Sequence, residues 1–113
     1  MDKTLKHRDI VKQLLTQYNE LLSHCPIEGA ETEVIFDEER DHYLLFNVGW
    51  SPQGRVRGAT LYIRLRNGKF WIEEDWTEEG FANQLLEAGI SKEEIVLAFQ
   101  PPNMRPYSEF ALA

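Results

Sequence analysis

The chain has 113 residues, of which 42% are apolar and 27% charged, and its net charge is −7. That length and balance fit one globular domain, residues 1–113, with a single core, and exclude a disordered chain. The longest apolar run, Ile95 to Phe99, falls far short of the roughly 20 residues a membrane-spanning helix needs.

The N-terminal MDKTLKHRD is charged and lacks the apolar stretch of a secretory signal. The single cysteine, Cys25, cannot form an internal disulfide, so the expected setting is a reducing cytoplasm. Ile10, Val11, Leu14, Leu15, Tyr18, Leu21 and Leu22 recur at three- and four-residue steps, which predicts an amphipathic first helix whose stripe faces the sheet. Asp2 is the candidate N-cap, and His24-Cys25-Pro26 the expected stop. Thr32 to Asp37 reads as a strand, DEERD as a turn, and His42 to Trp50 as a second strand with both faces partly covered. Ser51-Pro52-Gln53-Gly54 has the proline and glycine placement of a tight turn.

Asn67-Gly68 is the strongest local signal, because both residues accept the positive φ of a type I′ hairpin. A two-residue loop pairs Arg66 with Lys69, Leu65 with Phe70, Arg64 with Trp71, Ile63 with Ile72 and Tyr62 with Glu73. Opposed residues share a face, so Ile63, Leu65, Phe70 and Ile72 form an apolar side, and Tyr62, Arg64 and Trp71 lie on the other. Thr77 is the expected N-cap of a second helix over Glu78 to Ala88. Gly89 and Ile90 should end it in a Schellman motif, and Ser91 with Glu94 forms a capping-box pattern. IVLAF before Gln100-Pro101-Pro102 is expected as a brief helical turn followed by a short strand. Met104, Tyr107 and Phe110 are expected to order the tail. The sum is an α+β domain: an N-terminal amphipathic helix and a second helix packed on one face of a mostly antiparallel sheet of four to five strands.

Chemistry-bearing residues are sparse. The histidines His7, His24 and His42 have no cysteine or histidine partner at metal-ligand spacing, and no nucleophile elbow or phosphate-binding glycine loop occurs. No catalytic residue, metal or cofactor is therefore assigned, and the chain is read as a non-enzyme. Asp37, Arg40, Asp41 and His42 form the densest polar group. They make either a recognition loop or a turn whose aspartates bind its own backbone. Asp75 could join Asp37 and His42 in a small-ligand or hydrolytic site only if the fold brings them together. Trp50 and Trp76 are expected at the core or its edge. Trp71, opposite Arg64 and near Tyr62, is a candidate cation–π partner and a candidate interface anchor, for a partner protein or for a second copy. An aromatic and arginine face also suits single-stranded nucleic acid, but Glu73, Glu74 and Asp75 beside it argue against that. Lys3, Lys6, Arg8 and Lys12 make the start of the first helix basic, which leaves a direct DNA-binding accessory factor as an alternative.

Three stretches together resemble the XisI family: DWTEEGFANQLLEAGISKEEIVLAF with the PPNMRPYSEFALA that follows it, FDEERDHY from Phe36, and VGW ending at Trp50. The resemblance spans nearly the whole chain. It implies a controlling factor for excision of the fdxN DNA element in cyanobacteria, acting with an XisH-like protein and a site-specific recombinase. No catalytic residue comes with it. The family pattern often has glycine at the position of Trp76 and threonine at that of Ser108, so Trp76 is a candidate for altered partner specificity. The resemblance thus adds a regulatory role through protein partners, with little direct DNA contact expected from a chain of this charge.

Overall fold

The computed structural model describes residues 3–23 and 29–113, with side chains from 5 to 22 in the first stretch. The chain runs α1 (Lys3–Ser23), β1 (Ala30–Asp37), β2 (His42–Ser51), β3 (Gly54–Arg66), β4 (Lys69–Asp75), α2 (Phe81–Glu87), a 3-10 turn (Lys92–Glu94), β5 (Ile95–Leu97) and a second 3-10 helix (Pro102–Tyr107). The expected cap at Asp2 and stop at His24-Cys25-Pro26 lie outside the described residues. Strand order is β1-β2-β3-β4-β5: the first four form an antiparallel meander, and β5 returns parallel to β4.

Alternation along the strands builds one core face. Tyr43, Leu45, Leu61, Ile63, Phe70, Ile72 and Ile95 are fully buried there, against Val11 and Leu15 of α1 and Phe81 and Leu85 of α2. His7 joins them at 4% exposure. Its ring centroid lies 4.5 Å from that of Phe70, and its Nε2 is 3.0 Å from Glu94 Oε2, which ties α1 to the turn before β5.

The hairpin forms in the expected register from Arg66↔Lys69 to Ile63↔Ile72, with Asn67 at φ 54° and Gly68 at φ 74°. Tyr62 then pairs with Glu74 rather than Glu73, because the register shifts by one residue beyond Ile63. A second shift, between Leu45 and Phe46 of β2, leaves Thr60 of β3 as an extra residue, where its hydroxyl accepts a hydrogen bond from Asn47. Each such bulge sharpens the local twist of the sheet.

The second helix starts later than the sequence predicts. Thr77 to Gly80 is a turn, and the residue that serves the helix start is Asp75. One carboxylate oxygen of Asp75 accepts from Thr77 N and Thr77 Oγ1, and the other from Phe81 N at 2.6 Å. The stop is as expected. Gly89 at φ 94° donates to Leu86 O, and Ile90 donates to Leu85 O and is buried. Ser91 Oγ donates to the Glu94 carboxylate rather than capping the backbone. The short strand is there, but it begins at once at Ile95; the helical turn expected within IVLAF lies before it, at Lys92–Glu94. In the tail, Phe110 packs against the core, but Met104 and Tyr107 are exposed. Arg105 does the tying there, donating to the carbonyls of Ala98, Gln100 and Leu112. Ala111 N donates to Ile95 O at 2.9 Å and so adds one rung outside β5.

Candidate functional site

The polar group at Asp37 to His42 is a built turn. Asp37 Oδ1 accepts from the backbone N–H of Glu39 and Arg40, and its second oxygen accepts from the Arg40 guanidinium. These bonds hold the Asp37 carboxyl below its ordinary pKa. Asp41, in the left-handed region at φ 60°, receives Arg8 of α1 at 2.7 and 3.2 Å and the Tyr43 hydroxyl at 2.8 Å. The Arg8 hydrogen bond lowers the Asp41 pKa, and burial pushes the Tyr43 phenol up. His42 Nδ1 lies 2.6 Å from the Tyr62 hydroxyl. Asp75 is not part of this group. It caps α2 from β4, with β2 and β3 between it and Asp37, a separation on the order of 14 Å at the usual strand spacing. The structure therefore does not assemble Asp37, His42 and Asp75 into one site. Among the described residues, no set of three His, Cys, Asp or Glu side chains is grouped to hold a metal ion.

The face bearing Tyr62, Arg64 and Trp71 is half-buried, and all three residues have partners within the chain. Arg64 reaches Glu73 at 3.4 Å. Trp71 lies opposite Arg64 in the register, but the cations over its ring are others. Its indole N–H donates to Arg66 O, and its ring lies under the guanidinium groups of Arg66 and Arg105, at 5.5 and 5.7 Å. Two of the four cations at the start of α1 are likewise engaged: Arg8 pairs with Asp41 and Lys12 with Glu38.

Among the described residues, two surfaces carry an exposed tryptophan. The first is a groove of about 820 Å³ between α1 and the Trp76–Ala88 segment. Leu14, Tyr18 and Leu21 form its α1 wall, and Glu78, Glu79 and Glu87 contribute carboxylates. Trp76 stands at its mouth with 77% of its surface exposed, held by a hydrogen bond from its indole to Glu74. Burial, and then the charges of Asp75, Glu78 and Glu79, raise the pKa of Tyr18, so the acidic field reaches the groove. The second is the outer side of β1 to β3, where Ile35, Val48 and Trp50 are 46, 40 and 62% exposed. Of the core or core-edge positions expected for Trp50 and Trp76, the core is thus ruled out for both. No periodicity distinguishes an exposed tryptophan from a buried one at a strand end.

The family model described as XisI protein matches residues 1–112. The chain belongs to the XisI family. Its fold agrees with two crystal structures from Anabaena variabilis ATCC 29413. One, a XisI-like protein, is 32% identical, with a TM-score of 0.89 over 97% of this chain and 99% of that one. The other, the fdxN element excision controlling factor XisI, is 37% identical, with a TM-score of 0.86 over 99% of this chain and 100% of that one. Among curated proteins none matches. No helix of the described residues is long and apolar enough to cross a membrane.

Proposed function

We propose that this XisI-family chain is a non-enzymatic regulator of DNA-element excision. In this reading it docks an XisH-like protein in the groove under Trp76 and, through it, controls a site-specific recombinase. The controlling-factor role of the Anabaena relative supports the regulatory part. The observation that carries the docking part is the exposed Trp76 beside the Leu14–Tyr18–Leu21 wall. A large aromatic side chain that becomes buried at the centre of a complex carries much of the binding energy in protein interfaces. The carboxylates of Glu78, Glu79 and Glu87 favour a partner segment that carries lysine or arginine and an apolar side chain for the groove.

Co-expression with an XisH-like protein from the same genome tests this. The expected result is co-purification, weakened at least tenfold by Trp76→Ala with the thermal midpoint unchanged. Failure to associate, or association indifferent to Trp76, removes the docking claim. Sub-micromolar binding to duplex DNA at physiological salt with a steep salt dependence replaces it with direct DNA contact.

A further inference from the structure

The outer side of the sheet carries a second pattern, independent of the groove. The register places residues in rows across β1, β2 and β3: Glu31–Val48–Arg57, Glu33–Phe46–Ala59 and Ile35–Leu44–Tyr62, with Trp50 opposite Arg55 at the end. Read across the strands, the face is acidic on β1, apolar on β2 and basic on β3. Glu31, Glu33, Arg55 and Arg57 are exposed, and none of the four has an ion-pair partner among the described residues. The apolar band between them runs from Leu44 to Trp50, with Ile35 beside it, and its outer members are those most exposed.

This banding is self-complementary under one symmetry. A two-fold axis in the plane of the interface, running along β2, lays β2 of one copy over β2 of the other. It lays β1 of each copy over β3 of its partner. The apolar band then meets itself, and Glu31 of one copy faces Arg57 of the other, twice. Two-fold axes perpendicular to the strands would set acid on acid and base on base. Sheets that pack face to face in this aligned way stand about 10 Å apart with interdigitated side chains.

We propose that this face binds a second copy of the chain, as a symmetric dimer centred on Val48 with reciprocal Glu31–Arg57 pairs. The occupant is identified by charge. A basic partner is repelled by the β3 arginines and an acidic one by the β1 glutamates, whereas the chain's own face matches both.

Sedimentation equilibrium on the full chain, at low and high salt, gives the test. The wild type should sediment as a dimer at tens of micromolar. Glu31→Arg and Arg57→Glu, each alone, should weaken dimerisation at least tenfold, because each sets like charges face to face. The double variant Glu31→Arg/Arg57→Glu should recover the wild-type constant to within about threefold, since both pairs are then reversed together. All these side chains are exposed, so thermal midpoints should match at concentrations where the dimer has dissociated, and Leu21→Ala should leave dimerisation unchanged, which separates this claim from docking in the groove. A monomeric wild type at 100 µM (roughly the weak end of specific association) overturns the proposal. So does a dimer indifferent to both single changes, or a double variant that fails to recover.

Discussion

The two faces of the sheet are made by the same strands and differ in how their residues are used. On the core face, alternate positions are fully buried and interchangeable in kind: Tyr43, Leu45, Leu61, Ile63, Phe70 and Ile72 pack against two helices. On the outer face the alternate positions are sorted by strand, acidic on β1, apolar on β2 and basic on β3. Packing asks only for volume and apolarity, so it leaves no trace of order across strands. Sorting by charge across strands makes no ion pair within the described chain, and it is the mark of a surface addressed to another molecule.

Substitutions matched across the two faces sharpen this contrast. Phe70→Ala should have the largest effect, a loss of about 3–5 kcal/mol in urea unfolding, because the ring is fully enclosed and touches His7. A loss below 1 kcal/mol would mean that the core is not where the buried positions place it. Asp41→Asn should come next, at about 1–3 kcal/mol, from weaker hydrogen bonds to Arg8 and Tyr43. Asparagine tolerates the left-handed backbone, so the change isolates the charge. Its pH dependence has a definite sign. The Asp41 pKa is lowered in the fold, so its contribution is complete above the unfolded aspartate value of about 3.9. It is lost as pH falls through the lower folded value. The wild type should therefore lose stability relative to the variant on acidification below about pH 4. Equal acid slopes would show that Arg8 does not hold this carboxylate. Trp50→Ala should have the smallest effect on the dissociated monomer, within about 1 kcal/mol, since only an exposed stack on Arg55 is removed.

The legible parts of the chain were those decided by neighbours in sequence. Asn67-Gly68 sets the hairpin register, Gly89-Ile90 the helix stop, and the three-and-four spacing of α1 its buried side. What escaped was decided by distant partners. Glu73 and Thr60 become extra residues in their strands because the twisted sheet needs bulges there, and nothing local in either residue announces it. The start of α2 moved because the Asp75 carboxylate lies close enough to serve Phe81, so Thr77 to Gly80 turns instead of coiling. Trp71 met Arg105, thirty-four positions along, rather than the Arg64 beside it. At the candidate site, the sequence identified Trp76 as unusual but gave no sign that α1 supplies a wall for it.

The rung that Ala111 adds beside β5 bears on aggregation. A sheet edge is a template on which foreign strands can grow, and this sheet has two. At β5 the edge is only Ile95–Leu97, and Ala111 already occupies the Ile95 carbonyl, so little template remains. At β1 no described strand pairs with the outer edge of its eight residues, but Glu31 and Glu33 stand exposed along it, and a strand stacking in register would bring carboxylate onto carboxylate. One end of the sheet is closed by chain and the other by charge. Acidification or high salt should therefore release fibril growth at β1 before β5.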